Sequence, residues 1–456
     1  MTNLPIKDFS KLWNVRKNPF DRDPQSVPLI RFMLHTNSLS SELLTKDSPA
    51  HRLVKLNSFK EIEVMPLPTT DSDTREFLNT NGLVCTEYYS YDSGIALKAS
   101  DGSIYNVVSH SPKNILEPII SDSTVALADL FASNICDYLV VGANEPSLKC
   151  KVARDNIITP EQALELVRVL LTAHGRFYIN AEVRVSELFY YLYRFKKLYK
   201  EFQHAWTIAT YAHGKGISEK IHDYLASLET RLEFICRAYD MVAFLSLKTA
   251  NWDEQSNQLY HLAYFITLVT GVFDNLAHII KEFYHMPITG RMDISLRIPP
   301  SKKPNKFYQT LQSKNAALYE FLAGSDMQRD INIFYPLRDS LVHRELPTGV
   351  QLQQSSEIGK NVFELNSETF EELKKMSDSP TFIIKGNPPF LDPLPFIKWA
   401  QQVTITLVNR VLSSINWNLV CVTLPRDIQD EIHAGNENFE RGVGKFLGWP
   451  AEPLYF

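Results

Sequence analysis

The chain has 456 residues, 44% of them hydrophobic and 22% charged, which excludes a wholly disordered chain. At roughly 100–200 residues per domain it predicts two or three domains. Lysine and arginine number 47 against 52 acidic residues, a net charge of −5, so the chain as a whole is no nucleic-acid polycation and any such binding has to come from a local patch. Cysteines stand at positions 85, 136, 150, 236 and 421 with no C-x-x-C pair, which argues against a cysteine-rich zinc site and fits a reducing, cytoplasmic setting. The opening MTNLPIKDFSKLW carries early charges and no apolar core, so no signal peptide is expected.

Residues 1–152 predict an α+β domain suited to sensing or partner binding. Strands are expected at 26–33, 61–65, 94–98, 103–108 and 138–141, with a helix at 123–132. Ala99-Ser100-Asp101-Gly102 lies between two of these runs, and Asp-Gly in that position is a hairpin signal. Beyond that domain the pattern turns helical. Thr159-Pro160-Glu161-Gln162 reads as a capping box with proline in the first turn, so a helix runs from there to His174 and stops at Gly175. Further helices are expected at 186–212, 218–249 and 253–284. In the last, Leu262, Phe265, Ile266, Val269, Phe273, Leu276 and Ile280 recur at helical spacing.

The apolar run 259–273 is about 15 residues, short of the ~20 that a membrane span needs, so it reads as a buried helix and no membrane is expected. A loop at 286–306 contains Pro287, Pro299, Pro300 and Pro304. Helices follow at 306–323 and 327–345, strands at 349–363 and 381–385 with a helix at 367–376 between them, then a helix at 393–417 and a short acidic one at 426–433. The expected division is 1–152, a long helical segment at 153–250, and a helical bundle at 251–456 with a small β insertion at about 348–390.

Several common chemistries lack their motifs: there is no phosphate loop, no dinucleotide fingerprint, no nucleophile elbow and no H-E-x-x-H pair. Asp71, Asp73 and Glu76 form an acidic cluster, but its setting favours a solvated loop leading into a helix cap over a cation site. No metal or cofactor is expected. A Ser/His or Cys/His catalytic pair stays open, because its members need not be neighbours in sequence.

Arg-x(4–6)-His pairs occur at Arg168 and His174, at Arg426 and His433, and at Arg338 and His343. Acids at 427, 430 and 431 surround the second and would repel a phosphate. The third has the richest context, in Tyr335-Pro336-Leu337-Arg338-Asp339-Ser340-Leu341-Val342-His343-Arg344-Glu345. Pro336 is expected to start or kink a helix there, which places Arg338 and Asp339 in a first turn whose free N–H groups favour an anion. Five positions separate Arg338 from His343, about 140° around a helix, so both can border one groove. Tyr335 is close enough to stack on a base, although core packing is its default role.

The string Arg338-Asp339-x-x-x-His343 on a late helix of a bundle resembles the signature of HEPN domains (higher eukaryotes and prokaryotes nucleotide-binding), and the resemblance extends over about 170–200 residues. It implies a homodimer in which the arginine and histidine of both chains converge, and RNA cleavage without a metal. Within it, His343 would move a proton, Arg338 would stabilise the charge on phosphorus, and Asp339 would orient Arg338. The products would be a 2′,3′-cyclic phosphate and a 5′-hydroxyl, and a toxin or antiviral setting is implied.

The segment from Ile288 to Asn315 has Arg291, Arg297, Lys302, Lys303, Lys306 and Lys314 against Asp293 alone, a net of +5. With Arg344, Lys302, Lys303 and Lys306 are the candidate RNA contacts. Arg194, Lys196, Lys197 and Lys200 read instead as a solvated helix face. Asp274 and Asn275 interrupt an apolar helix; a place facing the motif cleft is one reading, and a position on the helix surface is the default. Two rivals stand beside the nuclease: a non-catalytic module that binds RNA, a nucleotide or a protein, and an enzyme whose site lies in residues 1–150. The nuclease predicts Arg338 and His343 open to one cleft, and the binding module predicts them tied up in internal ion pairs.

Overall fold

The structure is a computed structural model in which residues 6–7, 18–25, 27–91, 94–98, 104–109, 136–142, 157–180, 183–214, 219–290, 293–299, 304–343, 347–352, 360–376 and 381–443 are described. The chain is mostly helical with small sheets. It divides into two compact units, the first ending at Arg184 and the second beginning at Val185.

The first unit holds β1 (Ile6–Lys7), β2 (Ile30–Leu34), α1 (Thr36–Leu44), α2 (Pro49–Lys55), β3 (Ile62–Pro66), α3 (Ser72–Thr80), β4 (Glu87–Tyr91), β5 (Gly94–Lys98), β6 (Ile104–Ser109), β7 (Tyr138–Val140), β8 (Ile157–Ile158), α4 (Pro160–Ala173), β9 (Tyr178–Asn180) and β10 (Val183–Arg184). One sheet has the order β3-β2-β7-β8 and is parallel throughout. Its central strand is nearly all apolar: Ile30, Phe32, Met33 and Leu34 are fully buried, as a strand covered on both faces requires. The expected α+β domain therefore contains an α/β layer, with α1 and α2 between the parallel strands β2 and β3 and α3 between β3 and β7. A second sheet, β1-β6-β5-β4, includes the expected hairpin, β5 antiparallel to β6. The helix expected at 123–132 lies outside the described residues.

The capping box forms as expected. Thr159 accepts from the Gln162 N–H, Gln162 accepts from the Thr159 N–H, and the helix closes at Gly175 with a positive φ of 66°. This helix packs on α2, and β8 pairs with β7, so residues 157–173 pack within the first unit.

The second unit holds α5 (Glu187–Leu198), α6 (Lys200–Gly214), α7 (Glu219–Leu247), α8 (Trp252–Phe283), α9 (Lys306–Lys314), α10 (Ala316–Ala323), α11 (Ser325–His343), β11 (Gly349–Leu352), β12 (Lys360–Glu364), α12 (Ser367–Met376), β13 (Ile383–Ile384), β14 (Phe390–Leu391), α13 (Pro393–Ser414), α14 (Asn418–Cys421) and α15 (Arg426–Val443). Helices α7 and α8 run antiparallel along their length. Asn275 donates to the Tyr224 carbonyl at 3.0 Å near one end, and Gln258 donates to Ser246 at 2.6 Å near the other. That pairing joins both sides of the boundary expected near 250. The seven apolar residues read from the spacing of α8 are all buried. This helix is long and apolar enough to cross a membrane by length and composition, but 72% of its apolar window is buried within the fold. Helix α13 packs on α6, α7, α8 and α10, and the small sheet β11-β12-β14-β13 is antiparallel.

Two helices expected as continuous are broken, one where a distant side chain takes over the freed backbone groups and one at a local asparagine cap. At Tyr199, Asn409 of α13 donates to the Leu198 carbonyl at 3.0 Å and accepts from the Glu201 N–H, satisfying the backbone groups that the break frees. At Asn315, the side chain caps α10 by accepting from the Leu318 N–H, and its amide donates to the Ser414 carbonyl at 2.9 Å.

Candidate active site

Helix α11 carries the motif and is continuous through Pro336, starting eleven residues before it. The proline leaves the Asn332 carbonyl without its helical donor. The helix nevertheless persists because Ile333, Phe334, Tyr335 and Leu337 are buried. Phe334 meets Phe273 of α8 edge-on at 5.3 Å and stacks on Trp399 of α13 at 5.2 Å. Arg338 and Asp339 therefore lie in the later turns of a long helix. Of the start or kink expected at Pro336 the start is not formed, so Arg338 and Asp339 have no first turn with free N–H groups, while the helix expected at 327–345 runs through it.

Leu337, Ser340 and Leu341 face inward and line a small apolar cavity with Leu262, Phe363 and Leu391. Arg338 and Asp339 face outward, with side chains 31% and 34% exposed. The Asp339 carboxylate accepts from Arg338 Nε at 3.1 Å and from Nη2 at 2.9 Å, so it holds the guanidinium in a fixed plane. His343 is the last residue of α11, and its side chain lies outside the described residues, as do Arg344, Lys302 and Lys303. Lys306 is described, exposed at the start of α9.

A polar ladder on the same helix pins the preceding loop, with Gln328, Asn332, Tyr335 and Asp339 spaced to share one stripe. Buried Gln328 accepts from the Ile298 N–H at 2.7 Å and donates to the Leu296 carbonyl at 2.9 Å. The Tyr308 hydroxyl donates to that same carbonyl at 2.6 Å. One turn on, buried Asn332 donates to the Ile298 carbonyl at 2.9 Å and accepts from Arg297 Nε at 2.9 Å. The loop is thereby held by backbone hydrogen bonds to amides that have no freedom to move.

The next residue of the stripe is Tyr335, which is 7% exposed. The Arg297 guanidinium lies 4.3 Å from its centre and that of Arg338 5.0 Å. Burial, with a smaller contribution from the Asp274 carboxylate, pushes its hydroxyl up to about 12; the two arginines and a hydrogen bond with Ser295 act the other way. The ring is a packed platform for two cations, not a free stacking surface. Asp274 is exposed as expected and lies within electrostatic reach of Tyr335, whereas Asn275 is buried. Arg297 was legible only as one cation of a basic loop. Its neighbour Asn332 stands 35 positions away, beyond any local pattern.

The other motifs have structural roles. Arg168 is buried and hydrogen-bonds Glu165 through Nε at 2.6 Å. Asp71 caps α3, and its hydrogen bond from the Thr74 hydroxyl lowers its pKa. The basic stretch at 194–200 is not a wholly solvated face: Arg194 is buried on Asp240, and burial lowers the pKa of Lys196 beside Glu229. Among the described residues, no group of three or more His, Cys, Asp or Glu is arranged to hold a metal ion. No family model, no curated protein and no solved structure matches this chain.

Proposed function

We propose that the chain is a metal-independent endoribonuclease of HEPN type that acts as a homodimer in the cytoplasm, in a toxin or antiviral role. The observation that carries this reading is Arg338, an outward guanidinium held in plane by its neighbour Asp339, on the helix that ends at His343. In the proposed reaction the RNA 2′-oxygen attacks phosphorus and the bond to the 5′-oxygen breaks. His343 takes the 2′-hydroxyl proton or delivers one to the leaving oxygen, a task to which an imidazole is suited near neutral pH. Arg338 stabilises the extra negative charge at phosphorus. The products are a 2′,3′-cyclic phosphate and a 5′-hydroxyl, so no oxidant or reductant enters. Arg344, Lys302, Lys303 and Lys306 are the proposed contacts to the RNA backbone, and residues 1–152 the proposed sensing or partner-binding region.

A second reading, a non-catalytic module that binds RNA, a nucleotide or a protein, draws support from the same pair, since Arg338 already has a carboxylate partner. RNA cleavage in excess chelator separates the two. The nuclease reading expects cleavage by the full chain that disappears in both His343→Ala and Arg338→Ala. Cleavage unchanged in both variants, or none by a wild-type chain that is toxic neither in cells nor in extracts, overturns it.

A further inference from the structure

Arg297 is held by Asn332 through Nε alone, which leaves the four N–H bonds of its two terminal nitrogens available. Among the described residues no carboxylate pairs with it. It sits on the same tyrosine ring as Arg338, and the exposed Asp274 carboxylate also lies within electrostatic reach of that ring, so Arg297 and Arg338 are two cations at one place on the surface of the helix. The loop carrying it is fixed by two buried amides and a buried tyrosine hydroxyl, so the cation is presented in a set position. Arg338 is paired with Asp339, whereas among the described residues Arg297 is paired with no carboxylate.

We propose that Arg297 is a second phosphate-binding side chain of this site, gripping an RNA phosphodiester next to the one at Arg338. The inference rests on the nuclease reading only for the identity of the anion as RNA. Arg297 is a binding residue here and takes no part in proton transfer. Gln328 and Asn332 are positioning residues that act through the loop.

The test uses the full chain with two probes of one mixed sequence: a fluorescein-labelled single-stranded RNA and its fully 2′-O-methylated analogue, which cannot be cleaved. Binding of the analogue is followed by anisotropy across a salt series. Arg297→Gln is expected to weaken binding about tenfold and to flatten the plot of log affinity against log salt by about one contact's worth, ~0.7. Arg297→Lys keeps the charge and is expected to restore the slope while binding more weakly than wild type. A merely structural role would move affinity without changing the slope, and would show as a lowered melting temperature. Wild-type affinity and slope in Arg297→Gln overturn the inference, and so does a wild-type chain that fails to bind the analogue. The failure of the nuclease reading looks different: no chelator-resistant cleavage by wild type, with the Arg297 dependence of analogue binding intact.

Discussion

Two arginine–aspartate pairs in the second unit obey different rules. Arg194 of α5 and Asp240 of α7 are 46 positions apart, with side chains 10% and 2% exposed, and the Tyr191 hydroxyl donates to the same carboxylate at 3.1 Å. Arg338 and Asp339 are adjacent on α11 and about one-third exposed. The first pair joins two helices in a dry interior, where losing either partner strands a charge. The second joins nothing and can be opened by a phosphate at small cost, because water and salt already screen it. One chemical motif thus serves architecture where it is buried and remote, and is left available for chemistry where it is local and wet.

The comparison breaks most visibly at the buried pair. Asp240→Ala should destabilise the fold by about 3–5 kcal/mol in urea denaturation, while the double change Arg194→Met with Asp240→Leu should recover most of that loss. A loss under about 1 kcal/mol for Asp240→Ala would place the pair in effective contact with solvent. At the exposed pair the large effect should be on cleavage. Arg338→Ala is expected to lower the single-turnover rate about 10²–10³-fold, the scale of one lost transition-state donor. Equal loss of rate and of folded protein would reverse that assignment.

Tyr335 sharpens the contrast through pH. Its hydroxyl is pushed up to about 12 from an ordinary 10.0, so between those values the folded chain keeps a proton that the unfolded chain has lost. Stability therefore falls as pH rises from about 10 to about 12, by about 2–3 kcal/mol from this group, and below pH 10 it adds no pH dependence. Tyr335→Phe should make the alkaline loss shallower by about half that amount, ~1.3 kcal/mol, when unfolding is compared at pH 9 and pH 11. An unchanged alkaline slope would show the ring to be open to water. The smallest effect should come from Asp339→Ala, less than about 1 kcal/mol in stability. A loss near that of Asp240→Ala would mean that the two pairs are not different in kind.

Much of the architecture was legible in the residues alone. The capping box at Thr159, the stop at Gly175, the buried stripe of α8 and the hairpin of β5 and β6 follow from interactions within a few positions of one another. The motif residues Arg338, Asp339 and His343 could be named for the same reason, since one helix spaces them. Their setting could not. Pro336 points to a helix start or kink by local rules, and the packing of Phe334 on Phe273 and Trp399 carries the helix through it. The gap at Tyr199 depends on Asn409, which approaches from a distant segment. The parallel order of β3, β2, β7 and β8 unites strands more than a hundred residues apart in sequence. Arg297 stands beside Arg338 on the Tyr335 ring only because Gln328 and Asn332 fold its loop against α11. Caps, periodicity and hairpin turns are decided by neighbours along the chain. Which cation stands beside which, and which ion pair is dry, is decided by side chains that meet only after the chain has packed, and no local pattern encodes that meeting.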